Sequence, residues 1–568
     1  MKFRPARTTL TAAAFAAATL TAGLATPTRV HAQTTPDLGI NLSSINFWNN
    51  EYPFTNIAKK MGGWRLQKAN SKRQWNYNQG ELDEQGYPLS VPEGSFYDAA
   101  MVVSASGHHL PSERLVVLYD GTGDVRYSLA FQKDEAASTP GRDVINVSPQ
   151  RGSGFLEIHA TDADDHVRNV RVYFEEEAPA EGSTEAPLFR QAFLDRWSGF
   201  DFYRFMDWGQ TNHNNTESWS DRAEPDDFSY GVHVDDSKAM RGIPYEMMIE
   251  LSNAQQTDAW ICIPHLANDD YVRKLAELVK QELDPELTVY FELSNEVWNW
   301  SFPQTKYAKE EGVRQGLHEN ENLARFAWYG NRANEMFKII DEVMTDVPDE
   351  RVVFVVGTHS ENPWATKQIL KISDVLETAE ALAIAPYFST DGFPDYKDGL
   401  ALEKHVADVD TIFSLVQHSL DHKTEKVREQ KAIADEHGLD LLAYEAGQHF
   451  VSKKTARIIN KAKGGDKEAQ KTLEEQIRQV YADLNVDPRM KQAYIDYIQA
   501  MGEAGVTKLG IFASMSGPSQ HGSWGITVNE ASTAEDSPKY AAVLALLKGE
   551  RTNGSQTAPA APATAEPQ

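Results

Sequence analysis

Two glutamates stand out for what carboxyl groups do in pairs. Glu296 lies in "TVYFELSNEVWNW" (Thr288 to Trp300) and Glu445 in "LLAYEAGQH". Each closes an apolar run of strand character, and each sits among amides and aromatic rings. Two carboxyls held about 5–5.5 Å apart can cleave a glycosidic bond with retention: one protonates the leaving oxygen while the other attacks the anomeric carbon. Two unrelated solvated glutamates are the competing reading. Glu292 is the competitor to Glu296. An even spacing on a strand turns both to one face, with Glu292 deeper, where a buried arginine or histidine would be its partner.

Bringing positions 296 and 445 together requires a scaffold. Eight apolar runs read as strands: "DLGINL", "FDFYRFMDW", "TDAWICIPHLA", "LTVYFELSNE", "RVVFVVGTHS", "EALAIAPYFS", "LDLLAYEAGQH" and "KLGIFASMS". Helical stretches such as "NDDYVRKLAELVKQEL" and "MKQAYIDYIQAMGEAG" alternate with them. That rhythm predicts an α/β fold with a parallel sheet buried on both faces, and eight strands is the count of a closed (β/α)8 TIM barrel. An open doubly wound sheet is the alternative, but no Gly-rich phosphate loop follows the first run.

Between the first and second runs the texture changes. From about Asn70 to Phe174 short alternating strands and turn signals predict a β-sandwich-like domain inserted after the first barrel strand. It closes on the acidic linker "EEEAPAEGSTEAP". The expected organisation is a signal peptide (1–32), the first strand and helix of the barrel (33–66), the inserted domain with its linker (67–187), the rest of the barrel (188–548) and a disordered tail (549–568). The sandwich is expected to border the cleft and hold extended chains.

In a (β/α)8 barrel, chemistry gathers at the C-terminal ends of the strands. Asn41, Arg204 with Asp207, His265, Asn295 with Glu296, His359, Tyr387, Glu445 with His449, and Ser514 all fall there. The fourth and seventh strands stand nearly opposite, so Glu296 and Glu445 can face each other. A cationic Arg204 would keep Glu445 ionised, while Glu296, beside apolar Val297 and Trp298, would be pushed toward protonation. Trp48, Trp208, Trp219, Trp298, Trp300, Trp364 and Trp524 crowd the expected loops, and flat rings suit the C–H faces of pyranoses. Trp298 and Trp524 are the preferred stacking platforms. His265, His359, His449 and His521 lack HxxxH or HxH spacing, so they read as substrate or carboxylate partners, with no metal and no cofactor expected. The "DADD" run at Asp162–Asp165 lacks the Gly and distal Glu of an EF-hand and reads as an acidic hairpin turn.

The bulk properties narrow the partners. A net charge of −28 over 568 residues leaves no basic surplus for a nucleic-acid backbone and disfavours a polyanionic substrate, unless a local basic cleft overrules it. Lys2, Arg4 and Arg7, the alanine-rich apolar run after them and "VHA" before Gln33 fit an export signal cleaved after Ala32, which predicts a secreted or periplasmic protein with no membrane span once mature. An uncleaved anchor is the other reading. The single Cys262 cannot form an intramolecular disulfide and, in "AWICIPH", reads as a small buried hydrophobe.

"SNEVWN" on the fourth strand and "YEAGQ" on the seventh resemble the clan A retaining glycoside hydrolases. The resemblance covers the barrel, about two thirds of the chain, and leaves the insertion out. It implies that Glu296 is the acid/base, Glu445 the nucleophile and Asn295 a ligand of the sugar 2-hydroxyl. Arg204 in "YRFMDW" is similar to the clan's strand-two arginine, and Tyr387 in "IAPYF" to its strand-six hydroxyl. Together with His265, Trp298, Trp524 and Asn41, these are the residues expected to bind a polysaccharide or oligosaccharide. A carbohydrate-binding protein on a degenerate barrel is the rival from another class, and a surface adhesion module built on the sandwich is a third reading.

Overall fold

The computed structural model describes residues 35–74, 80–102, 109–183, 185–231 and 240–549. The expected signal segment 1–32 and, beyond Gly549, the expected tail lie outside the described residues. A closed parallel barrel is built from β1 (Asp37–Asn41), β10 (Phe202–Arg204), β11 (Asp258–Ile263), β12 (Val289–Leu293), β13 (Val352–Gly357), β14 (Ala381–Ile384), β15 (Asp440–Ala446) and β16 (Lys508–Phe512), in that order around the ring. Each of the eight predicted runs supplies one strand, so the fold is a (β/α)8 barrel.

The strands read as unbroken apolar runs because both faces are covered. On β12, Val289, Phe291 and Leu293 face outward into the layer of helices. Tyr290 faces inward with Phe202, Trp260, Cys262, Val355, Ala383, Leu442 and Tyr444. The rings of Phe202, Trp260, Tyr290 and Tyr444 must fit this interior, and Gly39 on β1 makes part of the room: a Cβ there would lie 2.3 Å from the Phe202 ring. Several helices begin on side-chain caps. Asn268, for example, accepts the Tyr271 N–H at 2.9 Å ahead of helix Asp269–Glu282. No helix among the described residues is long and apolar enough to cross a membrane.

Between β1 and β10 lie two four-stranded antiparallel sheets. One has the order β2 (Arg65–Lys68), β3 (Ser95–Val102), β8 (Ser153–Thr161), β5 (Gly123–Leu129); the other β6 (Phe131–Lys133), β7 (Arg142–Val147), β4 (Arg114–Asp120), β9 (Arg168–Phe174). The first sandwich strand starts at Arg65, two residues ahead of the expected boundary. Asp162–Asp165 does not close a hairpin. It is the corner where the chain leaves one sheet on β8 and enters the other on β9, held by the Asp164 N–H on Asp162 Oδ1 (2.9 Å) and by Arg168 on Asp165 (2.8 Å).

The core of the sandwich is shared. Leu115, Val117, Ile145, Leu156, Ile158 and Val172 pack there with Tyr52, Ile57, Ala58 and Met61, which belong to the loop after β1, and with Phe228 from the loop after β10. Trp64 stacks on Phe228 at 5.0 Å. The loop after β1 therefore has one half in the sandwich and the other at the barrel mouth.

Candidate active site

The site is built in layers along the barrel axis. In the deeper layer, the fully buried Arg204 at the end of β10 donates through Nε (3.2 Å) and Nη2 (2.9 Å) to Glu292 Oε2. The same carboxylate oxygen accepts Trp260 Nε1 at 2.9 Å and Cys262 Sγ at 3.4 Å. Cys262 thus packs as a buried donor rather than as a plain hydrophobe. A Cβ on Gly357 would come within 2.9 Å of Glu292 Oε1, so β13 leaves this carboxylate its space. Glu292 is the arginine partner expected of it, and its charge is spent holding the guanidinium in place.

Arg204 carries that order upward. Nη1 donates to Glu445 Oε1 at 3.0 Å and to Asn41 Oδ1 at 3.1 Å, while Nη2 donates to Asn295 Oδ1 at 3.0 Å. Tyr387 donates its hydroxyl to Glu445 Oε2 at 2.9 Å. Both oxygens of Glu445 are therefore held by donors. Burial holds the Glu445 carboxyl above its usual value, and the Arg204 charge and Tyr387 hydroxyl pull it only part of the way back down.

Glu296 has a different environment. Tyr444 donates to its Oε1 at 3.1 Å and Asn299 to its Oε2 at 2.7 Å, and among the described residues no cation pairs with it. Burial, followed by repulsion from Glu445, pushes its carboxyl up to about 8. Asp207 is a third acid at the same mouth, pushed up to about 7 by burial and then by Glu445. Its carboxyl has no hydrogen-bond partner among the described residues.

Two backbone features aim the pair. Ser294 (φ 60°) and Glu296 (φ 44°) both take the left-handed conformation that non-glycine residues seldom adopt, so the chain turns sharply where β12 ends. On β15 the register against β16 shifts between Ala443 and Ala446. In a regular strand neighbouring side chains point to opposite faces, yet Tyr444 reaches Glu296 and Glu445 reaches Arg204. The bulge allows both to point inward.

Above these groups opens a cavity of about 570 Å³. Glu296, Glu445, Asp207, Asn295, Tyr387 and Trp524 line it, together with Asn212, Asn299, His449 and the loop after β1 from Ser43 to Asn50, including Trp48. Trp524 lies parallel to His449 (5.9 Å, 13°), and burial holds His449 neutral, its pKa near 4. Among the described residues, none of 65–187 lines this cavity. The sandwich reaches it through the loop after β1 and, by way of Phe228, through the loop after β10.

The expected binding residues divide. Arg204, Asn295, Tyr387 and Trp524 converge on the two glutamates. Asn41 does not face the cavity: its Oδ1 accepts from Arg204 and its Nδ2 donates to Tyr444 O at 2.9 Å, so it braces the arginine. Trp298 is turned away, lying against His359 at 4.0 Å, because the left-handed turn at Glu296 redirects the residues after it. His265 lines a separate cavity with Tyr307, Trp328 and Arg332. The first cavity takes its walls from the strand ends on either side of β11, β10 and β12, and none from the end of β11 itself. Sequence reasoning passed over Tyr444 and Asn299, although one adjoins Glu445 and the other sits in the same short run as Glu296.

No known protein family matches the chain, and no curated protein does. Similar solved structures include a 4-O-α-L-rhamnosyl-β-D-glucuronidase from Fusarium oxysporum, with TM-score 0.30 and 14% identity over 53% of each chain. The CBM22-1 and GH10 modules of a Clostridium thermocellum endo-1,4-β-D-xylanase align with TM-score 0.32 and 8% identity over 88% of this chain and 98% of that one. A GH5 xyloglucanase from Bacteroides ovatus aligns with TM-score 0.28 and 8% identity over 80% and 96%. The match spans about half the length of the first of these. Similarities this distant carry no function, and the reading of the site rests on its own geometry.

Proposed function

We propose that the chain is a retaining glycoside hydrolase cleaving β-glycosidic bonds in a polysaccharide or oligosaccharide. The observation that carries this reading is the unequal treatment of two carboxyls at one cavity. Glu445 is held by Arg204 and Tyr387, whereas Glu296 meets only neutral donors and is pushed up to about 8. Environments that drive two acids apart in proton affinity assign the acid and the nucleophile.

In the first step Glu296 gives its proton to the glycosidic oxygen as that bond breaks, and Glu445 bonds to the anomeric carbon. Its charge disappears into the ester. The repulsion that helped raise Glu296 disappears with it, so Glu296 can now accept a proton. Water adds to the anomeric carbon, gives its proton to Glu296 and releases Glu445 as carboxylate. Arg204 stays charged throughout and keeps Glu445 oriented. Asn295, anchored by its carbonyl on Arg204, is placed to meet the sugar 2-hydroxyl.

A 2-deoxy-2-fluoro glycoside of the matching sugar should label the peptide containing Glu445, and the first product should keep its anomeric configuration. Labelling of another carboxylate, or an inverted product, would overturn the assignment. Binding of polysaccharide without turnover of any glycoside would favour the degenerate-barrel alternative. The N-terminal segment supports action outside the cytoplasm, and the mature protein should begin at Gln33 when its first residues are sequenced.

A further inference from the structure

Outside the cavity, the loop after β12 and the helix Pro363–Ile372 that follows β13 carry an aromatic ledge. Trp300 is 58% exposed and Trp364 is 55% exposed, among the most open large apolar side chains of the described residues. Between them lies Arg325, on helix Glu321–Val343. Its guanidinium carbon is 4.5 Å from the Trp300 ring centre and 4.6 Å from that of Phe326. Phe326 meets Trp364 edge-on at 6.4 Å. Nη1 of Arg325 donates to Trp298 O at 3.3 Å, which ties the ledge to the strand end that carries the acid.

Arg325 is only 5% exposed, yet among the described residues no carboxylate pairs with it. Among the described residues its buried Nε has no partner. Glu321, one helical turn earlier, is spent on Lys309 at 2.6 Å. Burial of the lone charge lowers its pKa to about 10. A buried, uncompensated cation is costly, and it is conspicuous in a chain of net charge −28. Cation–π contacts offset part of that cost. They leave the fork of N–H donors that matches a carboxylate unfilled.

We propose that Arg325, with the exposed rings of Trp300 and Trp364, forms a docking site for a carboxylate-bearing sugar on the leaving-group side of a glycan chain. This rests on the glycosidase reading above, which places the leaving group beside Glu296. The rings stack on sugar faces and Arg325 takes the carboxylate. The cavity itself holds three carboxyls, Glu296, Glu445 and Asp207, and suits an uncharged ring. The chain recognised would carry neutral units on one side of the scissile bond and an acidic unit on the other.

The test is binding, which does not depend on turnover. The full chain is run through native gels containing glucuronoxylan or another neutral backbone bearing uronate units, and through gels containing neutral xylan, galactan or β-glucan. At least one uronate-bearing polymer should retard it more than the neutral ones, and 0.5 M salt (roughly a 4 Å screening length) should remove the difference. Arg325→Gln should weaken that binding about tenfold, the size of one lost charged hydrogen bond. Trp364→Ala, at an exposed position where folding is not at stake, should weaken it as well. Equal retardation by acidic and neutral polymers, or binding indifferent to both substitutions, would overturn the proposal. Arg325-dependent binding with no hydrolysis of any glycoside would leave the docking site standing and remove the hydrolase reading. Hydrolysis without Arg325-dependent binding would do the reverse.

Discussion

Glu296 carries the sharpest consequence at the scale of single residues. As proton donor it is needed when the leaving group is a poor one and matters little for the first step when it is an activated phenol. Glu296→Gln should reduce hydrolysis of natural glycosides by about 10³-fold or more while sparing release of an activated aryl group. Equal losses on the two substrate types, measured side by side, would contradict the role. The pH profile follows from the same environment. Activity on natural glycosides should fall as pH rises through about 8, where Glu296 loses its proton. Asp207 faces the cavity with its carboxyl unpartnered among the described residues, so a sugar hydroxyl is its natural counterpart. Asp207→Ala should raise KM roughly tenfold or more, the worth of a hydrogen bond to a charged group, with a smaller change in kcat. Steady-state kinetics showing the loss confined to kcat would argue against sugar contact.

The strands themselves were legible in the sequence, and the aim of their side chains was not. All eight barrel strands could be read because a strand covered on both faces must be apolar throughout, and Glu296 and Glu445 could be placed at strand ends for the same reason. The bulge that turns Tyr444 and Glu445 inward together, and the left-handed turn that sends Trp298 away, depend on neighbouring strands and leave no local pattern. The loop after β1 also hides a titrating group. Glu51 is fully buried and accepts from Ser514 Oγ (2.9 Å) and Trp197 Nε1 (2.7 Å), and burial pushes it from an ordinary 4.5 up to about 8. Between those values the folded chain holds a proton that the unfolded chain has lost, so stability must fall as pH rises, by about 1.4 kcal/mol per pH unit from this group alone. Glu51→Gln keeps the position uncharged. Its Tm should decline less steeply than that of the parent from pH 5 to 8, and parallel Tm–pH curves would show that Glu51 is ionised in the fold.

The whole molecule differs from a barrel with an appendage. Read along the chain, residues 67–187 form a contiguous insertion, and its removal should leave hydrolysis of a small aryl glycoside intact while weakening action on polymers. The structure changes that expectation. Tyr52, Ile57, Met61 and Phe228 belong to barrel loops but are buried in the core of the sandwich. Exposing each costs about 1.5–3 kcal/mol, so their sum rivals the 5–15 kcal/mol stability of a whole domain. The same loop that carries Tyr52 and Ile57 supplies Ser43, Asn46, Trp48 and Asn50 to the wall of the cavity. Replacing 65–187 with a Gly/Ser linker should therefore leave the barrel's far-UV signature while kcat/KM on a small aryl glycoside falls at least a hundredfold, because one wall of the site has lost its support. Retention of the parent kcat/KM within about twofold would show that the loop after β1 holds its shape on the barrel alone, and that the sandwich serves only the longer chain.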